Sequence, residues 1–357
     1  MGARLRVVLD QVDQVVDDDQ ASAAQDLTAG LIATAPTGCT VEAIVPAGAE
    51  VSMTGLDDVR ALPLARRELA AAWQLGIAPG VGGGLIHAPS LMAPLVRHDR
   101  LHDNDQTTVT VWDLRAWEAP ELLPKGVAAF QRAMLRRAVK HADAVVVPSH
   151  AVGERLSELA RLGDRVRVIA GAPPRDLGVP PDEEERRAAL SLPSSYVALT
   201  GTPDSLAAGF RGAVAAGVDA VVLDVPEGYE PRLADAAAAV GLPENRAHSR
   251  GPLSTHDRAA VLAGASALAA TSPVAGWPWR AVEAMALGVP VVAVDVGCHR
   301  DVIADGGLVV GEADLPDAVA DAAGAGAARL RVLAADRSRA FSWMGSAERV
   351  WGLHADL

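Results

Sequence analysis

The feature that most constrains the fold is a recurring alternation of short, valine-rich apolar runs with longer alanine-rich stretches. LRVVLD near residue 5, VEAIVP near 41, TVTVWDL near 108, DAVVVPS near 143 and VRVIAG near 166 are continuously apolar or nearly so. That is the pattern of strands buried on both faces, and helical stretches between them join such strands in parallel. The segment Gly171 to Ser195, GAPPRDLGVPPDEEERRAALSLPSS, then gathers prolines, glycines and a charge cluster, as an interdomain connector does. From Tyr196 the pattern restarts with YVALTG, DAVVLDV, SALAATS, VPVVAVD and GGLVVG, spaced by YEPRLADAAAAVG and THDRAAVLAGA. The sequence therefore predicts an α/β protein of two facing, doubly wound Rossmann-like domains, at 1–172 and 196–338, with 173–195 as linker. With 357 residues, 50% of them hydrophobic, the chain can bury two cores. Open parallel sheets bind ligands outside the carboxyl ends of their strands, so a shared site between the two domains is expected.

Composition narrows the partners. A formal charge of -13 argues against general nucleic-acid binding, which needs a basic surface. Cys39 and Cys298 make neither a disulfide framework nor a metal-ligand spacing, as expected for a reducing compartment. Asp10 and Asp13 interrupt the first apolar stretch too early for a secretion signal, and no run reaches the roughly 18 apolar residues of a membrane span. A cytoplasmic location follows as the expectation. No G-x-G-x-x-G follows the first strand and no G-x-S-x-G surrounds Ser149, so neither a nicotinamide dehydrogenase nor a serine hydrolase is indicated.

The stretch Trp279 to Asp295, WRAVEAMALGVPVVAVD, resembles the signature of family-4 type glycosyltransferases of the GT-B fold, in which a glutamate-bearing helix ends at Gly-x-Pro before a buried strand. Further similar segments keep the family's order: IHAPSLMAPL at 86–95, VTVWDL at 109–114, HADAVVVPSHAVGERL at 141–156, DRVRVIAGAP at 164–173 and FSW at 341–343. The resemblance implies transfer of a sugar, with retention, from a nucleotide diphosphate to a glycan or lipid-linked acceptor. It implies no cofactor and no metal, the nucleotide-sugar being a substrate. It places the donor on the second domain and the acceptor on the first, and makes 339–357 a last helix that returns to the first domain. By the same resemblance Glu283 takes the ribose hydroxyls, Gly201, Thr202, Ala275, Gly276 and Trp277 lie on the donor side, and His87, Trp112 and Ser149 lie on the acceptor side. His87 and Ser149 have equally structural readings, Ser149 as a helix cap. Asp113 and Arg280 are the candidate catalytic residues.

The chain departs from the family pattern at several of these positions. Ala275 stands where a second glutamate lies eight residues before Glu283, and Trp112 stands where a histidine precedes Asp-Leu. TGTPDSLAAG puts Thr202, and Ala207 or Ala208, where two diphosphate-neutralising cations belong, and VVLDQVDQVVDDDQAS has no glycine-rich loop. Arg280 near the start of the Glu283 helix could supply a replacement cation; Arg211, Arg250 and Arg300 are weaker candidates. Asp17, Asp18 and Asp19 read as acids complementing a helix start. FQRAMLRRAVKHAD carries Arg132, Arg136, Arg137 and Lys140. It suits either an anionic lipid surface at the inner face of the membrane or an amphipathic helix with Phe130, Met134, Leu135 and Val139 inward. Two functions are therefore carried forward: an active glycosyltransferase, and a degenerate homologue that acts as a binding or scaffolding partner of another protein.

Overall fold

The computed structural model describes residues 2–99 and 104–357. Its first sheet has seven strands: β1 (Arg4–Val8), β2 (Thr40–Val45), β3 (Asp58–Ala61), β4 (Leu85–Ala88), β5 (Gln106–Thr110), β6 (Ala144–Val147) and β7 (Val166–Val168). They run in the order β3-β2-β1-β4-β5-β6-β7, and every ladder is parallel. The second sheet comprises β8 (Tyr196–Thr200), β9 (Asp219–Val222), β10 (Ala247–Ser249), β11 (Leu268–Ala270), β12 (Val291–Val294) and β13 (Leu308–Val310), in the order β10-β9-β8-β11-β12-β13, again all parallel. In each sheet the chain winds outward from its first strand in one direction and then in the other, which makes both doubly wound. The inner strands are buried because helices cover both faces: all four residues of the apolar β6 are buried, as are Val197, Ala198 and Leu199 of β8 and the polar Gln106, Thr107, Thr108 and Thr110 of β5.

The chain divides into two compact units. The first holds Met1–Ala172, Ala275–Trp277 and Phe341–Leu357; the second holds Pro173–Val274 and Pro278–Ala340. Residues 173–195 are thus not a bare connector. They carry the helix Glu183–Ala189, with acids in its first turn and Arg186 and Arg187 in its last, and that helix packs on the helix Thr255–Gly264. Arg186 bonds Asp257 at 2.7 Å, and the Tyr196 hydroxyl at the start of β8 donates to the Val261 carbonyl at 2.7 Å.

The chain's last helix, Trp343–Asp356, belongs to the first unit and lies along the helix Asp18–Ala33. The two approach closely at Gly30, where a Cβ would sit 2.7 Å from the Trp343 carbonyl oxygen, and Trp351 Nε1 donates to the Leu31 carbonyl at 3.1 Å. Asp17 caps the Asp18–Ala33 helix by accepting from Gln20 N, with Asp18 and Asp19 in the first turn. In the second unit Gly212 plays the equivalent close-packing role, a Cβ there meeting Val319 at 2.9 Å. Of the basic helix Val127–His141, Met134 and Leu135 are buried, and Phe130 and Val139 pack against the core from partly buried positions. Arg132 and Arg137 donate to the carbonyls of Ala116 and Leu95, while Arg136 and Lys140 are exposed. Among the described residues no helix is long and apolar enough to cross a membrane.

Candidate functional site

The strand order of the second sheet reverses between β8 and β11, and the crevice outside the carboxyl ends of such neighbours is where open sheets hold ligands. There β8 runs into Gly201 and Thr202, and β11 into Thr271 and Ser272. A Cβ at Gly201 would collide with Thr271 Oγ1 and come within 2.7 Å of Ser205 Oγ, so only glycine lets these hydroxyls close around the turn. Ser205 Oγ donates to the Thr202 carbonyl at 3.0 Å and lies 3.2 Å from Thr271 Oγ1. Two helices follow from this edge, Ala207–Ala216 after β8 and Trp279–Ala286 after β11, and neither N-terminus is capped by a side chain. The positive dipole ends of such helices suit an anion.

A chain of four charges lies beside this edge. Glu283, fully buried in the Trp279–Ala286 helix, accepts from Arg258 Nε and Nη2 at 2.8 Å each, and from Arg280 Nη1 at 2.9 Å. Arg280 turns its other edge to Asp224, which follows β9: Nε reaches Oδ2 at 2.8 Å and Nη2 reaches Oδ1 at 3.2 Å. Arg258 also donates to the Leu253 carbonyl at 3.0 Å. A carboxylate with no exposure needs this much pairing, because an uncompensated buried charge is costly. Side-chain exposure rises along the chain, from 0% at Glu283 through 7% at Arg280 to 39% at Asp224.

This geometry revises the expectations for two residues. Glu283 and Arg280 do come together, but Glu283 is enclosed by two arginines rather than presented to a ribose. Arg280 is held between two carboxylates rather than pointing at an unoccupied phosphate position. Arg258 and Asp224, which complete the group, have no motif in the sequence to mark them.

The expected donor residues Ala275, Gly276 and Trp277 fall instead in the first unit. Gly276 forms an antiparallel bridge with Asp113, the Leu114 amide donates to the Ala275 carbonyl at 2.8 Å, and the Ala275 amide donates to Glu118 at 2.8 Å. Trp277 stacks edge-on against Phe341 with ring centroids 5.3 Å apart. Without a side-chain carboxylate, Ala275 acts through its backbone.

At the carboxyl edge of the first sheet the switch lies between β1 and β4. Asp10, just past β1, accepts from Arg66 Nε and Nη2 at 3.1 and 2.8 Å, and from Ser90 past β4 at 3.4 Å. Burial pushes its carboxyl above the ordinary aspartate range, opposed by Arg66. In place of a glycine-rich loop, Gln11 Oε1 accepts from the amides of Val16 and Asp17, at 2.8 and 2.9 Å, and so folds the turn. Asp113, expected to be catalytic, shares Arg115 with Asp17. Arg115 Nη2 reaches Asp113 Oδ2 at 2.8 Å, and Gln20 Nε2 adds a longer contact at 3.4 Å. The two aspartates raise the guanidinium pKa well above its ordinary value, Asp113 most strongly, while burial raises Asp17 itself.

The three acceptor-side candidates are interior residues. His87 is wholly buried on β4, with Nδ1 2.8 Å from Thr108 Oγ1 and its ring edge-on to His354 at 5.9 Å. Trp112 is 4% exposed, donates to the Pro89 carbonyl at 2.8 Å and packs against Trp343. Ser149 caps the helix His150–Leu159, accepting from Val152 N at 3.3 Å. Arg211 and Arg300 pair on the surface with Glu312 and Asp295, and Arg250 donates to the carbonyls of Leu190 and Ser191. Among the described residues no three His, Cys, Asp or Glu side chains gather to hold a metal ion.

Residues 203–326 match the sequence model of the family described as Glycosyl transferases group 1. This span carries every member of the Asp224–Arg280–Glu283–Arg258 group. Sucrose-phosphate synthase from Thermosynechococcus elongatus superimposes with a TM-score of 0.63 at 18% identity, covering 99% of this chain and 98% of its own. Anabaena HepE, solved in complex with UDP and glucose, gives 0.63 at 16% identity over 99% of this chain and 100% of its own. WaaG, a glycosyltransferase involved in lipopolysaccharide biosynthesis, gives 0.61 at 12% identity over 97% and 98%. The fold is that of GT-B glycosyltransferases. No curated protein matches the sequence. The GT-B likeness covers the chain nearly end to end, so no large part of either unit stands outside it.

Proposed function

We propose that this chain is a glycosyltransferase that takes its sugar from a nucleotide-diphosphate donor, with retention, and passes it to a glycan or lipid-linked acceptor in the cytoplasm. The observation that carries the reading is the family match over 203–326, which falls on the sheet edge where two uncapped helix N-termini and Arg280 are gathered. Glycosyl transfer leaves negative charge on the departing diphosphate, and fixed N–H groups and a guanidinium stabilise it without needing to reorganise. With Thr202, and Ala207 or Ala208, in place of cations, Arg280 in the first turn of the Trp279–Ala286 helix is the cation this reading assigns to the diphosphate. The complex of HepE with UDP and glucose makes UDP-glucose the first donor to try.

One observation favours a second reading. Asp224, Arg280, Glu283 and Arg258 sum to no net charge, and Glu283 is closed off from solvent, as in a degenerate homologue that keeps the shell and binds a protein partner instead.

Calorimetric titration with UDP, GDP, ADP and dTDP, with and without magnesium, separates the two. The transferase reading expects micromolar affinity for one of them, about 8 kcal/mol. It also expects release of that nucleoside diphosphate from the matching donor when an acceptor extract is added. Absence of both across the donor series overturns it in favour of the scaffold.

A further inference from the structure

We propose that Asp224 is a built-in competitor for the anion site of Arg280, a carboxylate that a ligand's phosphate must displace before Arg280 can bind it. The inference rests on the reading of this edge as a diphosphate site, and three features of the structure carry it.

The first is shape. Arg280 Nη1 donates to Glu283, and its Nε–Nη2 edge faces Asp224 with contacts of 2.8 and 3.2 Å. That edge is the two-donor fork that fits a carboxylate and a phosphate equally well. Asp224 therefore occupies the geometry a phosphate would use.

The second is exposure. Asp224 is the outer member of the group at 39% side-chain exposure, whereas Glu283, at 0%, is fastened from behind by both donors of Arg258. Exposed pairs contribute little to stability and exchange with solvent, while buried ones do not. If one contact in the group opens, it is the Asp224 contact.

The third is backbone. Asp224 has φ 58°, one of only four non-glycine residues among those described with positive φ. This conformation is disfavoured for most side chains and tolerated by Asp, Asn and Gly. Released from Arg280, the residue can relax toward solvent without disturbing β9. Charge follows: with Asp224 engaged the group is neutral, and with Asp224 displaced it carries one net positive charge facing outward.

The test uses inorganic pyrophosphate as the probe, so that it does not depend on base or sugar. Asp224→Asn removes the charge, and Asp224→Gly removes the side chain; both residues accept the left-handed backbone, so folding is preserved. Each variant should bind pyrophosphate at least about tenfold more tightly than the wild type, the scale of one charge-assisted contact. Adding Arg280→Met to Asp224→Asn should abolish the gain. Variants that bind no more tightly than the wild type, or a gain that survives Arg280→Met, overturn the proposal. A gain for pyrophosphate with no binding of any nucleoside diphosphate, in wild type or variant, would keep the competitor and remove the nucleotide reading. Nucleoside diphosphate binding by the wild type that does not change in the variants would do the reverse.

Discussion

At the scale of single residues, the interior is arranged around arginines that hold carboxylates where solvent cannot. Glu283 is the clearest instance, because Arg258 bonds both of its carboxylate oxygens from a buried position. Arg258→Ala should cost about 3 kcal/mol in urea unfolding, since it strands most of the charge on a buried carboxylate. The double substitution Arg258→Met with Glu283→Leu should recover most of that loss, because the charge leaves with its partner. Equal stability of wild type and Arg258→Ala would show that Arg280 alone satisfies Glu283. The sequence makes Glu283 visible through the motif around it. Arg258 and Asp224 stay invisible there, being 25 residues from Glu283 and 56 from Arg280 on other crossovers of the same sheet. A pairing that depends on how strands are ordered leaves no local pattern. The burial of His87 and Trp112 is hidden for a related reason: sequence fixes which strand bears them, but not which covering helix closes over their side chains.

At the scale of elements, what reads clearly from sequence is what periodicity encodes. Strands at the middle of each sheet are buried on both faces, so β1, β2, β6, β8, β9 and β12 announce themselves as apolar runs rich in valine or alanine, while β5 is visible through its run-on into Val111 and Trp112. β3, Asp-Val-Arg-Ala, is an edge strand with all four residues exposed, and β10, Ala-His-Ser, is a short edge strand with none buried; neither needs an apolar sequence, and neither is legible. The helix Glu183–Ala189 hides inside a Pro- and charge-rich stretch, although its order of acids first and arginines last already complements a helix dipole. Close contact between the first helix and the last gives a paired test at two glycines. Gly30→Val places methyl groups against the Trp343 backbone, where a Cβ alone would lie 2.7 Å from the carbonyl oxygen, and should destabilise by about 1–3 kcal/mol. Gly352, in the same last helix, has nothing within 4 Å of a built Cβ, so Gly352→Ala should stabilise by about 0.5–1 kcal/mol. A thermal melt of Gly30→Val at or above that of the wild type would show that the helix contact is looser than the structure draws it.

At the scale of the whole molecule, the first unit is discontinuous: its last helix is the end of the chain, and two buried histidines fasten that helix to the sheet. His354 Nδ1 lies 2.9 Å from Gln106 Oε1 and Nε2 lies 3.3 Å from Thr108 Oγ1, while His87 shares the same threonine. Burial lowers His87 from 6.5 to about 3, helped by the charge His354 would carry, and lowers His354 to about 4. Both rings are therefore neutral in the folded state at a pH where the unfolded chain protonates them. The stability they contribute is complete above about 6.5 and is lost as pH falls through their folded values, by up to about 1.4 kcal/mol per pH unit for each ring. Asp10 and Asp17 have the opposite sign: with carboxyls raised by burial, their contribution is complete below 3.8 and lost as pH rises through their folded values. His299 in the second unit is lowered by burial too, so the readout must belong to the first unit. Tryptophan fluorescence supplies one, because every tryptophan except Trp279 lies there. His141 of the first unit is also lowered by burial and His98 is raised by its bond to Asp143, so urea unfolding followed by that signal should show stability falling from about pH 7 to about pH 5 with a slope that His354→Gln makes shallower. A slope unchanged in His354→Gln would mean that the last helix is held by its other contacts, among them the Trp351–Leu31 hydrogen bond. A shallower slope would identify His354 as a fastening through which the end of the chain completes the unit its beginning starts.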